Sequence, residues 1–211
     1  MALVMMVTNR RLYGADEADA RARLVEAAHR AGQAGIDLVQ IRERDLEAAE
    51  LMALAMDVQR AVSGTDCKVL INERVDVALA SGVAGVHLPA AAVPSDRVRQ
   101  MVPNGFLIGR SVHTDAETAG QDASDYFVFG TVFASASKPL GQAIAGVEGL
   151  TMVAARTSRP VLAIGGVTVD RLPEIARAGA AGVAAIGLFA TATEIELRTI
   201  VERIHVVFGG R

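Results

Sequence analysis

The chain has 211 residues, of which 51% are apolar, 4% aromatic and 21% charged, with a formal net charge of −3 at pH 7. That length is expected to fold as one domain, residues 1–211, around one large core, and the charge excludes a nucleic-acid or anionic-membrane partner held by bulk electrostatics. A single cysteine, Cys67, excludes an internal disulfide, and no Cys/His cluster has metal-ligand spacing, so no metal site is expected.

Apolar runs of strand length alternate with longer helical patterns along the whole chain. Leu3 to Thr8 reads as a strand, and it meets Asn9, Arg10 and Arg11 too soon to be a signal-peptide core or a membrane span, so a cytoplasmic location is expected. Asp16 to Ala31 repeats apolar residues at three and four, as a helix does, and is followed by a strand at Leu38 to Arg42 and a helix at Leu46 to Ser63. Strands then follow at Lys68 to Ile71, Gly85 to Leu88, Leu107 to Ser111 and Tyr126 to Gly130. Thr131 to Gly146 is irregular, and its length and its two glycines fit a functional lid. The last units are a strand at Val161 to Ile164, a helix at Val169 to Ala178, a strand at Gly182 to Ile186 and a helix at Thr193 to Phe208. Eight strands, each with a helix behind it, predict an α/β fold of the (β/α)8 TIM-barrel type. A doubly wound open sheet is the rival, but the turn after the first strand lacks the glycines that such a sheet uses to bind a dinucleotide.

In such a barrel the chemistry collects at the carboxyl ends of the strands, so the residues at each tip are the candidates. Gln40, Arg42 and Arg44 alternate and share a face, which makes a doubly cationic patch suited to an anion; Arg42 paired with Glu73 or Asp45 is the competing reading. Asn72 ends the third strand, and Ser111 and Gly130 end the fifth and sixth. Ser135, Ser137 and Lys138 lie in the long loop. Gly165 and Gly166, followed by Thr168 as the expected N-cap of a helix, join Ile186 and Gly187 in the pattern of a phosphate site made by the last two βα turns. Lys68 opens its strand, faces the other end of the barrel and is read as a solvated lysine, which argues against a Schiff-base aldolase.

Of four histidines, His29 and His205 fall in helical patterns and are read as surface residues, while His87 could line the mouth or bond within the core. His113 precedes Thr114-Asp115-Ala116-Glu117, a capping-box pattern that predicts a helix starting there. A helix N-terminus disfavours imidazolium, so His113 is expected to stay neutral and to serve in proton transfer; the simpler reading is that it braces the turn.

Taken in order, Gln40-Ile41-Arg42-Glu43-Arg44, Ile71-Asn72-Glu73-Arg74-Val75-Asp76, Gly85-Val86-His87-Leu88-Pro89, Ile108-Gly109-Arg110-Ser111-Val112-His113, Lys138 and Ala163-Ile164-Gly165-Gly166 resemble the thiamine phosphate synthase/TenI superfamily. The resemblance implies a barrel acting on a small thiazole phosphate, with homo-oligomers common. The TenI branch looks closer and implies thiazole tautomerisation without metal or redox cofactor. There His113 would carry a proton from ring C2 to the exocyclic carbon of a carboxythiazoline phosphate. Arg42 with Arg44 would hold the carboxylate, Gly166, Ile186 and Gly187 would bind the phosphate, and Lys138 would close from the loop. The synthase branch joins a pyrimidine diphosphate to a thiazole phosphate using Mg2+ held by aspartates after the third and fourth strands; here those positions are Glu73 and Ala92, and the Lys that ends its second-strand motif is Arg44. Ser135, Ser137 and Lys138 still match that branch. A non-catalytic thiazole phosphate-binding regulator is the third expectation.

Overall fold

The computed structural model describes residues 2–14, 16–120, 123–134 and 144–209. Eight parallel strands close into a barrel in sequence order: β1 (Leu3–Val7), β2 (Leu38–Ile41), β3 (Lys68–Asn72), β4 (Gly85–Leu88), β5 (Leu107–Val112), β6 (Tyr126–Phe129), β7 (Val161–Ile164) and β8 (Gly182–Ala185). The ring closes where β8 pairs with β1, from Leu3 against Gly182 to Met6 against Ala185. Closure removes the edges that an open sheet would expose.

The two-residue period of each strand sorts its side chains. Met5, Val7, Leu38, Leu70, Tyr126, Val128, Leu162 and Ala184 fill the inside, while Val4, Met6, Val39, Ile41, Val69, Ile71, Val86 and Leu88 join the larger outer core beneath the helices. The filling is tight. Gly109 faces the Tyr126 ring so closely that a Cβ there would lie 2.1 Å from Cζ, so a side chain at 109 and a tyrosine at 126 exclude each other.

Helices α1 (Glu17–Gln33), α2 (Ala48–Ala61), α3 (Val75–Ser81), α4 (Ser95–Arg99), α5 (Gly146–Arg156), α6 (Leu172–Arg177), α7 (Gly187–Ala190) and α8 (Glu194–Gly209) follow their strands. Their ends are explained locally: the Asp16 side chain accepts from the Asp19 amide to start α1, and Glu47 and Glu50 form a reciprocal capping box that starts α2. None of the helices among the described residues is long and apolar enough to cross a membrane.

Two expectations are corrected. No α-helix follows β5: where the capping-box pattern predicted one, there is a single 3-10 turn, Ala116–Thr118. Glu117 does reach back as such a box requires, but it accepts from the His113 amide at 2.5 Å, and the turn ends at Ala119 before a helix can propagate. The helix expected over Val169 to Ala178 opens instead as a 3-10 turn, Val169–Arg171, after Thr168, whose side chain makes no capping bond.

Candidate active site

The polar residues at the strand tips divide into those aimed at the barrel mouth and those that brace it from outside. On β2, Gln40 is buried and its Nε2 donates to Asn72 Oδ1 on β3 at 3.0 Å. The other end of that amide, Asn72 Nδ2, is buried and has no partner among the described residues. A buried donor without an acceptor is costly, so this one is available to a bound molecule.

Arg42 continues the β2 alternation. Its backbone amide is fixed by Thr8 Oγ1 at 3.0 Å, while its half-buried guanidinium has no hydrogen-bond or ion-pair partner among the described residues. Burial and the neighbouring Arg44 push its pKa down, against Glu43 and Glu73. The competing reading, Arg42 paired with Asp45 or Glu73, is not what the fold builds. Asp45 is taken by Arg10 at 2.7 Å and Arg11 at 3.0 Å, and Glu73 is exposed in a left-handed turn at φ 56°. Arg44 is exposed.

Glu43 points the other way, buried behind the mouth. It accepts from Thr8 Oγ1 at 2.6 Å, from the Arg10 amide at 3.1 Å and from Arg10 Nη1 at 3.1 Å. Sequence reasoning missed Arg10, which is equally buried; an arginine two residues past a strand reads as solvated until the partner on the next tip is known.

Deeper in the barrel, His87 lies between Tyr126 and Ser111, with Nδ1 3.2 Å from the Tyr126 hydroxyl and Nε2 2.9 Å from Ser111 Oγ. Its ring stacks on Tyr126 at 5.8 Å between centroids. Burial, aided by Arg42 and Arg110, lowers the His87 pKa to about 3, and burial raises that of Tyr126. Both groups are neutral near pH 7, so this chain orients the half-buried Ser111 hydroxyl without adding charge. A stability signature follows. The unfolded histidine titrates near 6.5, so the native state, which keeps the ring neutral down to about 3, loses stability as pH falls through 6.5 toward 3 and keeps it above 6.5. From this group alone, urea unfolding at pH 5 is expected to give about 2 kcal/mol less than at pH 7, and His87→Gln should remove that difference. A pH dependence that is the same in wild type and H87Q would contradict the assignment.

His113 is exposed at the mouth, with Nδ1 2.6 Å from the Gly130 carbonyl oxygen. A carbonyl only accepts, so Nδ1 is the donor in this pair. The helix dipole expected to act on this imidazole is absent with the helix; the Gly130 carbonyl orients the ring instead. His29 is exposed as expected, and its Nδ1 meets the Ala61 carbonyl oxygen at 2.8 Å, whereas His205 is half-buried with Nδ1 out of solvent. Lys68 is exposed at the start of β3.

The two glycines after β7 adopt left-handed angles, φ 98° at Gly165 and 61° at Gly166, which a non-glycine residue rarely adopts. The backbone amides of Gly166, Val167 and Gly187 find no protein acceptor among the described residues, and a Cβ on Gly187 would meet open space. Ile186 caps the short α7. Bare amides beside an open volume suit an anion. Ser135, Ser137 and Lys138, expected to close on it, lie outside the described residues.

A family model described as "Thiamine monophosphate synthase" matches residues 5–189. A thiamine-phosphate synthase from Roseiflexus castenholzii is 33% identical over 199 residues, covering 93% of this chain and 85% of that protein. Another from Methanoculleus marisnigri is 35% identical over 174 residues, covering 81% and 82%. Among solved structures, a thiamine phosphate pyrophosphorylase from Pyrococcus furiosus superposes with a TM-score of 0.82 at 25% identity, over 99% of this chain and 98% of that one. These findings overturn the tautomerase expectation, which rested on the TenI-like tips after β2, β4 and β5: the relatives that share most of the chain are synthases, transferases rather than isomerases.

Proposed function

The chain belongs to the thiamine monophosphate synthase family, a family of enzymes, and from this we propose that it joins a pyrimidine diphosphate to a thiazole phosphate, releasing diphosphate. The observation that carries the proposal is the half-buried guanidinium of Arg42 at the mouth, without a partner among the described residues, on the same strand face as Gln40, which holds the buried Asn72 amide. That pair suits a heterocycle carrying a strongly anionic leaving group. The bare amides after β7 and β8 suit the phosphate of the second substrate.

In this reading the thiazole ring nitrogen forms a C–N bond to the exocyclic methylene of the pyrimidine as the C–O bond to diphosphate breaks, and the electron pair leaves on the diphosphate. Arg42, supported by the exposed Arg44, accepts that growing charge. Gln40 holds Asn72 so that Nδ2 meets a pyrimidine acceptor, and Ser111 offers a hydroxyl oriented by neutral His87. Lys138, Ser135 and Ser137 are assigned to the phosphate-bearing substrates by type. The proton-carrier role of His113 goes with the isomerase reading; as a transferase residue it braces the β6 tip through Gly130.

Mg2+, which the synthase branch implies, does not fit these residues. Glu73 is one exposed carboxylate, Ala92 offers no side-chain donor, and the backbone oxygens of Ala90, Ala92 and Val93 are taken by the Arg110 guanidinium at 2.7, 3.0 and 2.9 Å. Among the described residues, no group of three or more His, Cys, Asp and Glu could hold a metal. The protein by itself offers too few oxygens there for a tight octahedral shell.

The test is direct. Purified protein given hydroxymethylpyrimidine diphosphate and thiazole phosphate should form thiamine phosphate and diphosphate in equal amounts, with the rate in excess EDTA within about twofold of that with Mg2+. Saturable thiazole phosphate binding with no product under either condition would leave a binding protein in place of an enzyme, and a rate that vanishes in EDTA would refute the account of the cation site.

A further inference from the structure

We infer that Arg171 is a positioning residue for the phosphate-binding turn after β7, setting the affinity for phosphate without touching it; this rests on the assignment of that turn to the phosphate of the thiazole substrate. Arg171 closes the 3-10 turn Val169–Arg171, and its Nη1 donates to the Gly166 carbonyl oxygen at 2.6 Å. Its guanidinium carbon lies 4.4 Å from the centroid of the Phe133 ring. No described carboxylate pairs with it.

Two consequences follow from geometry. A peptide unit is planar and its C=O and N–H point in opposite directions, so drawing the Gly166 carbonyl toward Arg171 turns the Val167 N–H the other way, among the unpartnered amides of the turn. The turn also has no slack. The Phe133 amide donates to the Gly165 carbonyl oxygen at 3.1 Å and the Val132 amide to that of Ile164 at 3.0 Å, while a Cβ on Gly166 would lie 2.5 Å from the Ala134 oxygen. Arg171 thus completes a closed circuit, from Gly166 through its own guanidinium to Phe133 and back through Gly165. The circuit locks the turn to the segment that leaves β6. An arginine bound to a carbonyl and a ring, with no carboxylate partner among the described residues, also keeps its positive charge uncompensated close to the anion site.

The experiment compares wild type with Arg171→Ala, Arg171→Lys and Phe133→Leu in two readouts: calorimetric Kd for inorganic phosphate, and KM for each substrate with kcat. Arg171→Ala should raise the phosphate Kd and the KM for thiazole phosphate about tenfold, leaving kcat and the KM for the pyrimidine diphosphate within about twofold. Arg171→Lys should recover part of the loss because an ammonium reaches the carbonyl but cannot stack, and Phe133→Leu should cost about two- to threefold. An unchanged phosphate Kd in folded R171A overturns the inference, as does a loss confined to kcat or spread equally over both substrates. If the protein turns over neither substrate, the synthase reading fails, but the ratio of phosphate Kd values between R171A and wild type still decides the role of Arg171. Wild type that binds no phosphate at all overturns both.

Discussion

Replacing Arg42 with alanine is expected to lower kcat/KM for the pyrimidine diphosphate by about 10^2 to 10^3, while KM for thiazole phosphate changes by less than about threefold. The guanidinium is half-buried, unpaired among the described residues and held by a backbone bond from its amide to Thr8 Oγ1. It needs little reorganisation to meet a diphosphate, and an anion there would be partly shielded from water, where a charge-assisted hydrogen bond is strongest. Arg42→Lys keeps the charge but loses the two-pronged fork and should fall in between, near a tenfold loss. Steady-state kinetics with each substrate varied in turn would check this, and a loss below threefold for R42A would remove Arg42 from the site. Because burial and Arg44 lower the pKa of this group from a very high starting value, it stays cationic near neutrality, and no activity step near pH 7 should trace to it.

Glu43→Ala should cost about 2–4 kcal/mol of stability, about 1–3 for each of the buried polar groups it leaves without an acceptor. Both side chains are almost wholly enclosed, Arg10 at 6% and Glu43 at 3% exposure, and the Glu43 carboxylate collects three donors from the tip of β1. Without it the Arg10 amide and the Thr8 hydroxyl lose their acceptor, although the Arg10 guanidinium keeps Asp45 and Glu17. Arg10 holds the Asp45 carboxyl well below the usual carboxylate range, so that neighbouring pair survives acid longer than an ordinary surface bridge would. Glu43→Gln keeps the shape and one acceptor and should cost less than the alanine change. Urea unfolding reads both variants; a loss under about 1 kcal/mol for Glu43→Ala would mean that the enclosed pair adds little. The same change should also reach the chemistry, since Thr8 Oγ1 donates to Glu43 and accepts from the Arg42 amide, placing the carboxylate one hydroxyl away from the residue proposed to meet the diphosphate.

The barrel was legible because its period is local. Eight apolar runs of four to six residues, each able to bury both faces, leave a chain of this length little alternative to a closed parallel sheet, and the predicted strands match the observed ones to within one residue at either end. The first two helices begin within two residues of where their apolar period starts, and only the structure shows Asp16 and Glu47 as the caps that fix those ends. After β5 the capping-box pattern misled. Glu117 reaches the amide of His113, but three residues of 3-10 turn are all that follow, because a nucleus of one turn needs further helical residues to repay its entropy.

Which residue types gather at the mouth was therefore set by the sequence itself, since strand order and the two-residue alternation decide which side chains face inward. Partners were decided only in three dimensions. Arg42 is left without a partner among the described residues because Asp45, three residues away, bonds instead to Arg10 on another strand tip; Arg171 reaches the turn after β7 over Phe133, 38 positions earlier. Such pairings depend on the closure of the ring and on the distances between neighbouring tips. No local pattern encodes these, whereas the tendency to form each strand resides in a handful of adjacent side chains.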